Sequence, residues 1–159
     1  MLKYLVEHGA NINKKEILTE TLLHYACKRK NGNENIVKYL VEHGADINKQ
    51  NEYGKIPLHY ACEYEHENIV KYLVDFGSDI NKQDRYKETA LQYACRSGSE
   101  NIVEYLIEKG AEVDKMIVIR DGYYLNYHIK KNLIKHGAVE PTISYRIKKI
   151  FKKHLFYLF

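Results

Sequence analysis

Glu42-His43-Gly44-Ala45-Asp46-Ile47-Asn48 occurs four times in this chain with small changes. It stands upstream as Glu7-His8-Gly9-Ala10-Asn11-Ile12-Asn13. It returns as Asp75-Phe76-Gly77-Ser78-Asp79-Ile80-Asn81 and as Glu108-Lys109-Gly110-Ala111-Glu112-Val113-Asp114. The four glycines are 35, 33 and 33 residues apart. A fixed period of this length marks stacked supersecondary units, each too small to bury its own apolar face.

Outward from that stretch, two further blocks recur in phase. One reads Leu23-His24-Tyr25-Ala26-Cys27, then Leu58-His59-Tyr60-Ala61-Cys62, then Leu91-Gln92-Tyr93-Ala94-Cys95. Leu58, Ala61 and Cys62 fall at i, i+3 and i+4, one face of a short helix. The other block is Glu34-Asn35-Ile36-Val37-Lys38-Tyr39-Leu40, repeated from Glu67 and Glu100. Ile69, Val70, Leu73 and Val74 give a second, wider helical face. Gly77 follows directly, where positive φ closes a last turn without steric cost. The polar stretch up to Lys87, the counterpart of Gly54, reads as a turn. Each unit is therefore helix, turn, helix and hairpin loop.

These motifs resemble the ankyrin repeat. The resemblance spans residues 2 to about 115 and is fullest in the second complete unit, at Gly54, Pro57, Leu58, His59, Ala61, Ile69, Val70, Leu73, Gly77, Asp79 and Asn81. The first unit departs from it with Leu22 at the usual proline and an insertion near Asn31-Gly32-Asn33. The third has Ala90 for proline and Gln92 for histidine. The resemblance implies an all-α solenoid of stacked helix-turn-helix units with hairpin loops, and that His24 and His59 tie hairpins to neighbours. The expected order is a partial repeat over 1–15 (second helix only), repeats over 16–50, 51–83 and 84–116, a degenerate terminal repeat over 117–140, and a basic amphipathic capping helix over 141–159. In the terminal repeat, Leu125, Ile129, Leu133 and Ile134 predict a helix ending at His136-Gly137-Ala138.

Composition sets the function classes. Hydrophobic residues make up 45% and charged residues 29% of 159, which suits a folded domain rather than a disordered chain. No apolar run approaches the ~18 residues that cross a bilayer, and the start lacks a signal-peptide pattern. The expected location is intracellular, in the cytoplasm of the source cell or of a host cell. Net charge is +4; residues 141–159 carry five Lys/Arg and no acid, leaving −1 for residues 1–140. That basic tail is expected to cap the last repeat, with anionic-membrane docking, contact with a partner-protein helix and, last, a nucleic-acid backbone as the alternatives.

No phosphate-binding loop, nucleophile elbow or two-histidine metal motif occurs. The expectation is a non-enzymatic chain with no catalytic residue, cofactor or metal. Cys27, Cys62 and Cys95 share one repeat position without close pairs, which suits small buried residues rather than zinc ligands.

Residues that differ between units are free to encode a partner. In the ankyrin family such positions lie on hairpin tips and on the concave face of first helices. Carried across, the tips are Ile17, Leu18 and Glu20, then Glu52, Tyr53 and Lys55, then Arg85, Tyr86 and Glu88. The helix positions are Lys28 and Arg29, Glu63 and Tyr64, Arg96 and Ser97. Tyrosine and arginine are enriched at binding hot spots, so Tyr53, Tyr64 and Tyr86 are expected to line one groove near Arg29, Arg85 and Arg96, with Leu18 adding apolar contact. The expected partner is another protein, bound by a monomer, with no nucleic acid.

Overall fold

The computed structural model describes residues 8–14, 20–29, 32–114 and 126–139. These hold seven α-helices and no strand. Six lie in a first compact unit, Met1–Glu112: α1 (Leu22–Lys28), α2 (Glu34–Glu42), α3 (Pro57–Glu63), α4 (Glu67–Asp75), α5 (Ala90–Ser97) and α6 (Glu100–Glu108). A second unit, Val113–Phe159, contains α7 (Tyr127–Lys135).

Local chemistry starts and stops each helix. The residue before each first helix, Thr21, Ile56 or Thr89, is extended, with ψ of 168°, 165° and 167°. Its N–H is one that helix geometry leaves unpaired. A side chain on the first turn takes it: Thr21 N donates to His24 Nδ1 at 3.1 Å, Ile56 N to His59 Nδ1 at 3.0 Å, and Thr89 N to Gln92 Oε1 at 2.7 Å. At the start of α2 stands Asn33, in the place that His66 and Ser99 take in the next two units, and its Oδ1 accepts the N–H of Ile36 at 3.1 Å. Gly77 ends α4 with φ 92°, and Gly137 ends α7 with φ 103°.

Within each repeat the two helices pack as α1–α2, α3–α4 and α5–α6. Along the stack α3 lies between α1 and α5, and α4 between α2 and α6. The small residues Cys27, Ala61, Cys62, Ala94 and Cys95 are at most 0% exposed, which is what lets first helices approach closely. Burial pushes the Cys27 and Cys62 thiols well above the ordinary range, so they stay protonated and unreactive. Leu40, Leu58, Leu73 and Leu106 are fully buried, each contributing roughly 1.5–3 kcal/mol of transfer free energy.

An asparagine ladder joins the loops between repeats. Asn13 Nδ2 donates to Gly44 O at 2.9 Å while its Oδ1 accepts from Asp46 N at 2.7 Å. Asn48 does the same to Gly77 O and Asp79 N, at 3.1 and 2.8 Å, and Asn81 to Gly110 O and Glu112 N, at 3.3 and 2.8 Å. These bonds satisfy backbone groups that loops otherwise leave to solvent.

The helix expected before His136 is present as α7. Leu125 lies outside the described residues, as do residues 1–7 of the expected partial repeat and the expected capping helix over 141–159.

Candidate functional site

Two hairpin tips stand side by side at the N-terminal ends of α3 and α5. Each is held by one side chain. Asn51 Oδ1 accepts the N–H groups of Tyr53 and Lys55 at 2.9 and 3.0 Å. Asp84 Oδ1 accepts those of Tyr86 and Glu88 at 2.8 and 2.9 Å. The tips are joined directly, because Arg85 N donates to Tyr53 O at 2.9 Å. That approach is close enough that a Cβ on Gly54 would meet Arg85 N at 3.0 Å, and Gly54 has φ 76°. Lys87 fills the same turn position at φ 60°.

The side chains on these tips face solvent. Tyr53 is 39% exposed and Tyr86 70%. Arg85, next to Tyr86 in the chain, is exposed, and Glu52 is half-exposed. The Glu52 carboxylate beside Tyr53 holds the phenol above its usual range, so it stays neutral.

The charged residues behind the tips are engaged within the protein. Glu20 pairs with Lys28 at 3.4 Å, Lys55 with Glu63 at 3.0 Å, and Arg96 binds Glu88 through both guanidinium nitrogens. These are equivalent positions in three successive units, with the sign reversed in the middle one. The cations also lie over tyrosine rings: Lys55 Nζ is 5.0 Å from the Tyr60 centroid and 4.4 Å from that of Tyr93, and Arg96 is 4.8 Å from Tyr93. Such contacts are worth roughly 0.5–1 kcal/mol when exposed.

Several expected contact residues are placed elsewhere. Glu20 is 1% exposed and cannot meet a partner; its Oε1 accepts the Tyr60 hydroxyl at 2.5 Å and Asn51 Nδ2 at 3.4 Å. Tyr64 caps the C-terminal end of α3, about 10 Å along the helix from the hairpin. It is 39% exposed, and its ring lies nearly parallel to that of His66 with centroids 6.3 Å apart. Arg29 is exposed at the same far end, its carbonyl accepting from His66 Nε2 at 2.7 Å. Ser97 donates back to Ala94 O at 3.1 Å. Ile17 and Leu18 lie outside the described residues.

His24 and His59 bind the neighbouring hairpin. His24 Nε2 lies 3.1 Å from Lys55 O, and His59 Nε2 lies 3.0 and 3.2 Å from Lys82 O and Glu88 O, at the base of the Tyr86 tip. Because His59 Nδ1 accepts from Ile56 N, Nε2 carries the hydrogen and the ring is neutral. Burial lowers the His59 pKa, opposed by its backbone acceptors and by Asp84.

Two open clefts escaped the sequence reading. One of about 440 Å³ is lined by Glu65, Glu67, Ser99 and Asn101, and one of about 340 Å³ by Gly32, Glu34, His66 and Asn68. Both lie at the starts of second helices, away from the tips. The charge pairing was also missed, although the alternation at 20, 55 and 88 against 28, 63 and 96 is visible in the sequence. Among the described residues, no cluster of three His, Cys, Asp or Glu is placed to hold a metal ion, and no helix is long and apolar enough to cross a membrane.

Comparison with curated proteins finds no match. The family model for ankyrin repeats matches in three copies, over residues 1–51 and 23–117. Repeats of this kind generally mediate contact between proteins, in chains that typically act as non-enzymatic scaffolds. Matched over most of its length, and folded as paired helices with hairpins in register, the chain belongs to the ankyrin-repeat family.

Proposed function

We propose that this protein is a non-enzymatic scaffold that binds a partner protein inside the cell through the joined hairpin tips of its second and third complete repeats. The observation that carries the reading is the pair Tyr53 and Tyr86, exposed on tips tied to each other by the Arg85–Tyr53 backbone bond. Rigid aromatic side chains bind at low entropic cost, and the hairpin bonds fix their backbone before any partner arrives. Arg85, exposed next to Tyr86, offers a planar set of donors. Lys55, Glu63, Glu88 and Arg96 shape the groove behind the tips through their mutual pairing.

The test compares the native chain with Tyr53→Ala/Tyr86→Ala as bait in lysate, after matching thermal stability. Tyr64→Ala serves as the opposite-end control. A protein retained by the native chain and by Tyr64→Ala, but lost by the double variant, supports the hairpin tips. Equal capture by all three rejects them.

A further inference from the structure

The nine-residue helix α7 differs from the other second helices in where its charges lie. With the closing glycines aligned, Gly137 on Gly44, Gly77 and Gly110, Tyr127 takes the place of Glu34, Glu67 and Glu100. Lys135 takes the place of Glu42, Asp75 and Glu108. In α2 and α4 the mid-helix lysine is paired inside its own helix, Lys38 with Glu34 and Lys71 with Glu67, each at 2.6 Å. Lys131 occupies that lysine's position, but the residue four before it is Tyr127. Residues 126–139 contain no acid.

Ile129 and Leu133 are buried, and the opposite side of the helix, Tyr127, His128, Lys131 and Lys135, faces solvent. Tyr127 is 69% exposed. Residues 113–159 carry ten Lys/Arg against three Asp/Glu, a formal +7, whereas residues 1–112 carry fifteen against eighteen, or −3. The positive charge is therefore gathered in the unit that contains this face.

We infer that the Tyr127–His128–Lys131–Lys135 face of α7 is a second docking surface, and that its occupant is an acidic helix of a partner protein. Lys131 and Lys135 are one helical turn apart, about 6 Å along the axis, which matches two carboxylates one turn apart on a facing helix. The stack itself shows a lysine making this reach: Lys109 of α6 bonds Asp75 of α4 at 2.9 Å. A bilayer is a poorer fit, since Ile129 and Leu133 are buried and Ile134 is half-buried, which leaves the helix no fully exposed aliphatic side chain to insert. Nucleic acid is also a poorer fit, since binding there typically draws on roughly 6–10 phosphate contacts.

The probe is an alanine-based helical peptide with glutamate at every fourth position, titrated into the labelled full chain while backbone and side-chain NMR signals are followed. The expected result is binding that shifts Tyr127, His128, Lys131 and Lys135. It weakens at least tenfold in Lys131→Glu/Lys135→Glu and severalfold in Lys131→Gln/Lys135→Gln, which keeps helix propensity. A lysine-bearing peptide should not bind. Failure to bind overturns the proposal, as do shifts confined to residues 141–159 or unchanged binding by the Gln variant. Tighter binding of single-stranded DNA, or of phosphatidylcholine vesicles with about a third phosphatidylserine, through these residues assigns another occupant and also overturns it. Tyr53→Ala/Tyr86→Ala should leave peptide binding intact, so the two surfaces fail or stand separately.

Discussion

Asparagine at 51 stands where the next unit has Asp84, and the exchange redirects a tyrosine. Asp84 uses Oδ1 for the hairpin N–H groups and accepts the Tyr93 hydroxyl on Oδ2 at 2.7 Å. Asn51 instead donates through Nδ2 to the Tyr60 oxygen at 3.0 Å, which leaves the Tyr60 hydrogen for Glu20 of the preceding unit. A bond inside one repeat becomes a link between two. Nothing near Glu20 in the sequence signals this, because its partner is 40 residues away, and a carboxylate in a variable loop reads as exposed. The histidine role came with the resemblance to the ankyrin repeat, whose motif places His24 and His59, and Gln92 in the third unit supplies the same acceptor. That replacement supplies a test. Above about pH 6.5, folded and unfolded chains both hold His59 neutral. Below it the unfolded chain takes up a proton that the folded one resists, so stability falls as pH falls toward the lowered folded pKa. His59→Gln should keep stability at pH 7.5 within about 1 kcal/mol and lose part of the decline below pH 6.5. Urea melts of both proteins across that range check it, and parallel curves would refute it.

Three ion pairs at equivalent positions form two columns of alternating sign, Glu20–Lys55–Glu88 and Lys28–Glu63–Arg96. Neighbouring helices pack 8–10 Å apart, about one Debye length at physiological salt, so each charge also attracts the opposite charge in the adjacent unit. Lys55→Glu/Glu63→Lys preserves the pair within its repeat but gives two columns of like sign, and it removes the Lys55 ammonium from the Tyr60 and Tyr93 rings. Destabilisation of about 1 kcal/mol at low salt is expected, shrinking in 0.5 M NaCl. Urea melts at both salt levels measure it, and an unchanged midpoint at low salt would sink the column argument. Among the described residues the helix positions were legible, because apolar spacing repeats. The insertion near Asn31-Gly32-Asn33 read only as a departure from the family pattern, yet Gly32 sits where a Cβ would meet the His66 ring at 2.8 Å, beside Asn33, which caps α2. A single sequence does not reveal such a fit, since the contact crosses into the next repeat.

In a stack whose units touch only their neighbours, cover decides how each unit opens. The solenoid itself could be read from the 33-residue period, because periodicity survives single departures such as Leu22 and Ala90. Which unit is best covered could not, since equivalent positions carry the same tyrosine. Tyr60 and Tyr93 are 5% and 6% exposed, whereas Tyr25 is half-exposed; Pro57 and Ala90 are buried, whereas Leu22 is half-exposed. The first helix α1 therefore hides less of itself than α3, which has α1 on one side and α5 on the other. Hydrogen exchange followed by mass spectrometry should find the amides of residues 22–28 exchanging at least tenfold faster than those of residues 57–63. That ratio corresponds to about 1.4 kcal/mol of difference in local opening. It should persist in Tyr53→Ala/Tyr86→Ala, because the hairpin tips lie outside the helical core. Equal protection of α1 and α3 would mean that the stack opens only as a whole, and that the unequal cover has no energetic weight.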